Sequence, residues 1–248
     1  MNLNNHTILI TGATSGIGLG LAEKFLELNN QVIICGRRED RLKKIREKYP
    51  SIETRVCDMS DANAREVLAE WIIKNHPSLD ILVNNAGVQL SVNLTEPVDL
   101  DRLHAELEVN FVAPVHIASL FTPHLAKAKE AAIINISSGL AFAPLAFMPI
   151  YCASKAAIHS YSLSLRRQLR NTPIKVFEIV PPSVDTELGH ERRTNKSQTH
   201  GGISVKEFVD EAIESLRKDE LESAVGQAKS LYAKREAMFE MMNDRVSR

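Results

Sequence analysis

Short apolar runs alternate with longer helix-periodic segments along nearly the whole chain of 248 residues. After the first run, for example, Ile17, Leu21 and Phe25 recur at the spacing of one helix face. The runs are four to seven residues long and apolar at almost every position, which is typical of strands covered on both faces. They are Thr7–Ile10, Gln31–Cys35, Ile52–Cys57, Ile81–Asn84, Ala132–Ile136 and Ile174–Val180.

This alternation predicts an α/β fold with a doubly wound, mostly parallel sheet of the Rossmann type. We expect a single domain with three α/β/α layers, because no Gly-, Ser- or Pro-rich linker and no repeat divides the chain. That domain is expected to span residues 1–228. Residues 229–248 alternate charged side chains with methionines and Phe239, which predicts an amphipathic helical tail that packs on the body or binds a partner.

Composition excludes several classes of function. Basic residues number 30 and acidic residues 31, so the chain lacks a basic surface for nucleic acid or an anionic membrane. The three cysteines show no C-x-x-C spacing, and His190 and His200 lack a third ligand, so we expect no metal site. The uncharged stretch 131–154 contains two prolines and Asn135, which favours strand and loop over a membrane helix. With no N-terminal signal, the expected location is the cytoplasm.

A glycine-rich loop, Thr11–Gly18, follows the first predicted strand and opens a helix. Gly12 allows a sharp turn, Gly16 removes a Cβ atom where the backbone must approach phosphate, and Gly18 allows close helix packing. The free N–H groups of the helix N-terminus favour a pyrophosphate. A Walker A loop is excluded because no Lys-Ser/Thr pair follows the last glycine. The remaining loop positions expected to contact a dinucleotide are Thr14, Ser15 and Ile17.

Two arginines follow the second predicted strand, in the run Cys35-Gly36-Arg37-Arg38. In this fold the end of that strand meets the adenosine ribose, where a carboxylate would bind a 2′-hydroxyl and repel a 2′-phosphate. Gly36 carries no charge, and Arg37 and Arg38 can form a bidentate clamp on phosphate. The run therefore favours NADP(H) over NAD(H), with a solvated helix start as the alternative interpretation.

Tyr151 and Lys155 are four residues apart on a predicted helix, so they lie on one face, one turn apart. Ser137 and Ser138 lie where the preceding strand ends. Ligands in open α/β sheets bind at the carboxyl ends of the strands. The tyrosine, the lysine and one serine are therefore candidates for a shared reactive site.

These motifs resemble those of a classical short-chain dehydrogenase/reductase, and the resemblance extends to about residue 227. Four family motifs occur in order: Thr11–Gly18, Asn84-Asn85-Ala86-Gly87, Asn110 and Tyr151-x-x-x-Lys155. The run of residues 35–38, together with Asn93–Pro97 and Gly139–Phe142, is similar to the bacterial DltE-like branch. The resemblance implies an oxidoreductase that transfers a hydride between a nicotinamide cofactor and a carbonyl or alcohol substrate.

The resemblance also implies roles for four catalytic residues. A free phenol is a poor base at neutral pH, and an ammonium one turn away would favour proton exchange, so Tyr151 is the expected acid/base. Lys155 would lower the pKa of Tyr151 and hold the nicotinamide ribose. Ser138 has the family's spacing before the tyrosine and would hydrogen-bond the substrate oxygen. Asn110 would hold a helix irregularity and a water that links Lys155 to solvent.

Further cofactor contacts are implied by the same resemblance. Asp58 would meet the adenine, and Asn84, Ala86 and Gly87 would line the adenosine. Pro181, Val184 and Thr186 follow the sixth strand, and the last two match positions that meet the nicotinamide amide and phosphate. For Val184 and Thr186, the alternative interpretation is an ordinary loop turn. Where the family usually has Pro-Gly, this chain has Pro181-Pro182, and the second proline removes an N–H and fixes φ.

The segment of about residues 186–205 corresponds to a substrate lid, either a basic cover for an anionic substrate or a solvated loop. We expect the substrate pocket to include Gln89, Leu140, Phe142, Phe147 and Met148. Helices near 100–125 and 152–170 would pair with copies of the chain in a homodimer or homotetramer. The apolar residues there are Val109, Phe111, Val112, Val115 and Ile117, which a helix in this fold also buries on its own sheet.

Two other functions compete with a reductase acting on small molecules. A nucleotide-binding regulatory or scaffold protein would keep the fold with little catalysis, but it would not need all four catalytic residues. A sugar-nucleotide epimerase shares the tyrosine–lysine pair, but we expect it to need a larger substrate domain after the sixth strand.

Overall fold

The computed structural model describes residues 1–189 and 201–244. Seven strands form one sheet in the order β3-β2-β1-β4-β5-β6-β7, and every neighbouring pair is parallel. The strands are β1 (Thr7–Thr11), β2 (Gln31–Gly36), β3 (Glu53–Val56), β4 (Leu79–Asn84), β5 (Ala131–Ile136), β6 (Ile174–Val180) and β7 (Glu222–Ala224).

Helices connect the strands and cover both faces of the sheet. They are α1 (Gly16–Glu27), α2 (Glu39–Lys48), α3 (Ala62–Asn75), α4 (Leu100–Leu107), α5 (Ala113–Leu125), α6 (Pro149–Gln168), α7 (Val205–Arg217), α8 (Ala228–Lys234) and α9 (Phe239–Asp244). A π-helical turn, Glu108–Val112, joins α4 to α5, and 3₁₀ turns occupy Gly139–Ala141 and Arg235–Met238.

The core forms two layers because side chains alternate between the faces of each strand. Ile8 and Ile10 of β1 pack with Phe25 of α1 on one face. Leu9 packs with Phe121 of α5 on the other face. Helices α1, α2 and α7 cover the first layer, and α3 and α5 cover the second. The doubly wound, three-layer fold predicted from the apolar runs is confirmed.

The third strand differs from the prediction. The run 52–57 was expected to be a strand covered on both faces, but β3 is a sheet edge with four residues, and Val56 is 58% exposed. The two apolar residues that flank it, Ile52 and Cys57, are buried outside the strand. These two buried residues gave the run its apolar ends. Only the residues before and after an edge strand need to be buried, so the run was mistaken for a strand covered on both faces.

The strand order reverses between β1 and β4, which opens a crevice at their carboxyl ends. Loops after β1, β4, β5 and β6 all reach this edge. Among the described residues, no helix combines the length and apolar character needed to cross a bilayer.

The described part of the C-terminal segment contains two short helices rather than one continuous helix. Between them lies the 3₁₀ turn, where Arg235 has a φ of 51°. In α9, Asn243 accepts from the Ala146 N–H at 2.6 Å and donates to the Pro144 carbonyl at 3.2 Å. The segment therefore folds back onto the loop that precedes α6.

Candidate active site

The glycine loop after β1 is pressed against the loop after β4. Gly12 has a φ of +66°, and a Cβ atom there would lie 2.6 Å from the Cα of Ala86. A Cβ atom at Gly18 would lie 2.4 Å from the Asn85 amide nitrogen. Side chains at these two glycines would therefore force the two loops apart.

Asn85 fastens the two loops together, although we did not expect a role for it. Its Nδ2 donates to the carbonyls of Thr11 at 2.9 Å and Gly12 at 3.2 Å. Its backbone N–H donates to the Thr11 hydroxyl at 3.1 Å. The neighbouring Asn84 was predicted to contact cofactor, but both asparagines belong to one motif, and the motif alone does not say which side chain faces the loop.

The N-terminus of α1 is suited to an anion. Gly16 begins the helix with a φ of +57°. Ser15 is extended and makes no capping side-chain hydrogen bond, and the first turn holds no acidic residue. The first N–H groups of a helix lack intrahelical partners, and its dipole is positive at that end. Residues 12–18 therefore fit the phosphates of a dinucleotide.

The side chain of Asn84 points away from the glycine loop, into a buried polar network. Its Nδ2 donates to Asn135 at 2.9 Å, and Asn135 donates to Ser162 at 2.9 Å. The Asn84 Oδ1 is buried and has no hydrogen-bond partner among the described residues. Any contact of Asn84 with a cofactor would therefore come from its backbone. A small internal gap lies here, between Asn84, Asn110, Asn135 and Lys155.

Asn110 lies in the π-helical turn, which is the helix irregularity that the resemblance implied. Its Oδ1 accepts from the Val88 N–H at 2.8 Å, and its Nδ2 donates to the Val88 carbonyl at 2.9 Å. A second contact runs from Nδ2 to the Ser154 hydroxyl at 3.1 Å. One amide therefore ties the loop after β4 to both the π turn and α6.

Tyr151 and Lys155 are both buried on α6. The ammonium of Lys155 donates to the Ile136 carbonyl at 2.9 Å and lies 5.8 Å from the centroid of the Tyr151 ring. A Cβ atom at Gly87 would lie 3.7 Å from the Lys155 Nζ and 3.4 Å from the Asn110 Oδ1. Gly87 thus leaves the lysine and the asparagine side by side, next to the crevice.

Burial lowers the pKa of Lys155 to about 8, although the negative charge of Glu178 acts to raise it. The side chain is only 5% exposed, so water cannot stabilise its charge. Glu178 is fully buried on β6 and is 2.8 Å from His159 Nδ1. A lysine with this pKa changes its protonation near neutral pH, as proton exchange requires.

The two serines after β5 have different surroundings. Ser137 is buried, and its hydroxyl points toward the Ile179 carbonyl at 3.5 Å, within the sheet. The Ser138 hydroxyl accepts from the Leu140 N–H at 3.1 Å and caps the 3₁₀ turn. Leu140 packs against the cluster that contains Tyr151, so the turn capped by Ser138 borders the tyrosine. These contacts support Ser138, rather than Ser137, as the serine of the candidate active site.

The two arginines after β2 differ in their contacts. Arg37 is 60% exposed, and its guanidinium lies 3.9 Å from Asp58. Arg38 crosses the glycine loop and donates to the hydroxyls of Thr14 at 3.0 Å and Ser15 at 2.8 Å. A Cβ atom at Gly36 would lie 2.7 Å from the Thr14 methyl group. Gly36 therefore gives Thr14 room to meet Arg38.

A carboxylate from the loop after β6 also reaches these arginines. Glu187 accepts from Arg38 at 2.7 Å and from Arg41 at 2.6 Å. Partial burial would raise the pKa of Glu187, but the hydrogen bonds and charges of the two arginines lower it to about 2. We did not expect this contact, because no local pattern links residues that lie 149 positions apart.

The loop after β6 passes over the glycine loop. The Pro181 carbonyl accepts from the Gly139 N–H at 2.9 Å, and Val184 forms a parallel bridge with Ile203. A Cβ atom at Gly16 would lie 3.1 Å from Thr186. Most of the predicted lid, residues 190–200, including His190 and His200, lies outside the described residues.

Four of the five predicted pocket residues divide into two groups. Leu140, Phe147 and Met148 pack with Tyr151, next to the candidate catalytic residues. Phe142 lies elsewhere, because its ring packs edge-on against His159 at 4.6 Å and Tyr232 at 4.8 Å between ring centroids. The expectation that Phe142 lines this pocket is not supported by these contacts.

The apolar residues of the predicted pairing helices also divide. Val109 and Ile117 are buried in the chain itself, whereas Val112 is 41% exposed. Phe111 and Val115 are half-buried. The association into a homodimer or homotetramer stays a prediction.

Comparison with known proteins identifies several similar chains. A family model described as short chain dehydrogenase matches residues 6–197. The uncharacterized oxidoreductase DltE of Bacillus subtilis (strain 168) is 48% identical over 250 residues and covers 98% of both chains. A short chain dehydrogenase from Burkholderia cenocepacia J2315 in complex with NADP has a TM-score of 0.81 and 26% identity over 94% of each chain.

A second solved structure has the same fold. It is a short chain dehydrogenase/reductase from Burkholderia phymatum in complex with NAD, with a TM-score of 0.85 and 22% identity. The match covers 98% of this chain and 97% of that chain. All of these similarities agree with the resemblance carried by the motifs.

The Asn110 bridge generates a prediction about stability. Asn110→Ala leaves the Val88 N–H and carbonyl without their partners, so we expect the free energy of unfolding to fall by about 2–4 kcal/mol. Urea denaturation measures the change. Asn75→Ala, an exposed asparagine on α3, is the matched control and should change stability by about 0.5 kcal/mol or less. Equal effects of the two substitutions would contradict a structural role for the bridge.

The burial of Lys155 predicts a pH dependence. Its folded pKa of about 8 is lower than the 10.5 of the unfolded chain. Between these values the unfolded chain binds more protons, so the lysine's contribution makes the protein more stable as pH rises. Relative to Lys155→Met, the free energy of unfolding of the wild type should increase by about 3 kcal/mol from pH 7 to pH 10.5. A difference that stays constant with pH would show that the lysine keeps its ordinary pKa.

Proposed function

The chain belongs to the short-chain dehydrogenase/reductase family, and we propose that it transfers a hydride between NADP(H) and a carbonyl or alcohol substrate. The observation that carries this proposal is the buried ammonium of Lys155, one turn from Tyr151. A buried lysine without a close ion pair lowers the stability of the fold, so its presence favours a function for it. A protein that only bound nucleotide could use Lys155 to hold a ribose, but it would not need Tyr151 one turn away.

The residues that would hold the cofactor fit its chemistry. The first turn of α1, with Gly12 and Gly16, would hold the pyrophosphate, and Ala86 and Gly87 would border the adenosine side. Asp58, at the turn after β3, would meet the adenine. Lys155 would hold the nicotinamide ribose. Val184 and Thr186, in the loop after β6, would contact the nicotinamide amide and the phosphate. When bound, the nicotinamide supplies the hydride in reduction and accepts it in oxidation.

Tyr151 moves the proton in the proposed mechanism. In the reductive direction its hydroxyl donates a proton to the substrate oxygen, and in oxidation the phenolate takes that proton back. The ammonium of Lys155 stabilises the phenolate that forms, because opposite charges attract strongly in a site with little water. The Ser138 hydroxyl donates to the substrate oxygen, where negative charge develops.

The gap beside Asn84, Asn110 and Lys155 suggests how the proton is replaced. The Asn84 Oδ1 lacks a partner among the described residues, and Lys155 lines the same gap. The gap has no space for a water molecule in this structure, so a water that accepts from Lys155 and donates to an asparagine oxygen would require the lining to open. We therefore assign Asn110 a positioning role, since it fixes the loop and the helix that form the gap.

The preference for NADP(H) rests on the residues after β2. That strand ends in Gly36 and carries no carboxylate that would repel a 2′-phosphate, and Arg37 and Arg38 follow it. The similar Burkholderia cenocepacia structure, at 26% identity, holds NADP, which supports the preference, although the Burkholderia phymatum structure, at 22% identity, holds NAD.

Tyr151→Phe tests the catalytic assignment. We expect turnover of a panel of ketones and aldehydes to fall by about 10²- to 10⁴-fold, because the proton donor is lost. Fluorescence titration should show NADPH affinity within a few-fold of the wild type. Tyr161→Phe, on the same helix, is the matched control and should retain activity. Loss of NADPH binding in the Tyr151 variant would mean that this tyrosine is structural.

Arg37→Ser tests the cofactor preference. We expect the Kd for NADPH to rise by about tenfold, because a charged hydrogen bond to phosphate is lost at an exposed position. The Kd for NADH should stay within about twofold, since its ribose carries no 2′-phosphate. Arg170→Ser removes an exposed arginine just after α6 and controls for net charge. Equal losses for both nucleotides would remove Arg37 from the phosphate site.

A further inference from the structure

Glu187 places a carboxylate between two arginines at the cofactor edge of the sheet. Its Oε2 is 2.7 Å from Arg38 Nη1, and Arg41 Nη1 lies 2.7 Å from Oε1 and 2.6 Å from Oε2. Charge-assisted hydrogen bonds of this length are stronger than neutral ones. All three side chains are about two-fifths exposed, so an incoming anion can reach them.

The same guanidinium connects this carboxylate to the glycine loop. Arg38 donates through Nε and Nη2 to the Thr14 hydroxyl, at 3.0 and 2.5 Å, and through Nη2 to the Ser15 hydroxyl at 2.8 Å. Three segments therefore meet at Arg38: the phosphate loop, the start of α2 and the loop after β6. The arginine donors on this surface therefore already bind a carboxylate of the chain itself, that of Glu187.

A 2′-phosphate needs the same kind of surface. It carries close to two negative charges and three acceptor oxygens, whereas a carboxylate carries one charge and two oxygens. Two anions cannot share the Arg38 and Arg41 donors without strong repulsion. A phosphate can therefore displace Glu187, whereas the neutral 2′-hydroxyl of NAD(H) has no charge with which to compete.

We propose that Glu187 is a cofactor-discrimination residue: its carboxylate competes with the 2′-phosphate for Arg38 and Arg41, and Arg41 is a further phosphate ligand. This inference rests on the proposed function, because it assumes that the adenosine of NADP(H) lies beside these arginines. The consequence is that the chain binds NADP(H) less tightly than its arginines allow, while Glu187 leaves NAD(H) unaffected. Removal of the carboxylate should increase selectivity for the 2′-phosphate.

Isothermal titration of Glu187→Gln with 2′,5′-ADP and with 5′-AMP tests the competition without a nicotinamide or a reaction. We expect 2′,5′-ADP to bind about tenfold more tightly than to the wild type, and 5′-AMP to change by less than about twofold. Glu214→Gln is the matched control, because Glu214, on α7, is an exposed glutamate that also pairs with two cations, Arg217 and Lys218. It removes the same charge and should leave both affinities unchanged.

A second pair of variants tests Arg41 as a phosphate ligand. In the Glu187→Gln background, Arg41→Gln should weaken 2′,5′-ADP by about tenfold, because no carboxylate then masks the loss. Arg46→Gln, an exposed arginine on the same helix, is the control in that background. Glu187→Asp keeps the charge on a shorter side chain and should give a 2′,5′-ADP affinity between those of the wild type and Glu187→Gln.

The outcomes separate this inference from the proposed function. If Glu187→Gln leaves the affinity for 2′,5′-ADP unchanged or weakens it, Glu187 does not compete with phosphate. Equal tightening of 2′,5′-ADP and 5′-AMP would make Glu187 a general obstacle and would also overturn its role in discrimination. If NADPH and both adenosine ligands fail to bind any variant or the wild type, the proposed function falls together with this inference.

Discussion

The contact between Gly12 and Ala86 holds the two halves of the candidate site together. It lies where the order of the strands reverses, so β1 and β4 are neighbours whose loops leave in opposite directions. The absence of a Cβ atom at Gly12 lets the two backbones touch, and Asn85 fastens them with hydrogen bonds. The phosphate-binding end of α1 and the loop that leads to Asn110 are positioned by this one approach.

The chemistry of the site depends on polar groups buried in a sheet that is otherwise apolar. Lys155 is placed among aliphatic strands, and the opposing influences of burial and Glu178 bring its pKa to about 8. Its neighbours are amides and carbonyls rather than free carboxylates, so the lysine is oriented without being neutralised by a close ion pair. The same environment that makes the lysine costly for stability makes it responsive to protons near neutral pH.

Sequence reasoning succeeded where local patterns determine structure. The apolar runs predicted the parallel sheet, and the motifs identified the family, including its similarity to the DltE-like branch. It failed where contacts join distant segments. The edge position of β3, the inward direction of the Asn84 side chain and the displaced Phe142 all depend on packing that no run of residues encodes. Glu187 shows this most clearly, since its partners lie far away along the chain and its own surroundings look like an ordinary loop.

The π-helical turn between α4 and α5 has a second consequence beyond placing Asn110. Such a turn closes its hydrogen bond one residue later than an α-helical turn, so it contains one extra residue. In a regular α-helix an extra residue would rotate every later side chain by about 100° around the helix axis, but the wider π turn absorbs it. Ile117 and Phe121 therefore still face the sheet. If the same residues formed one regular α-helix, these side chains would turn away from the core, so the irregularity also keeps the two halves of this long helix in phase with the core.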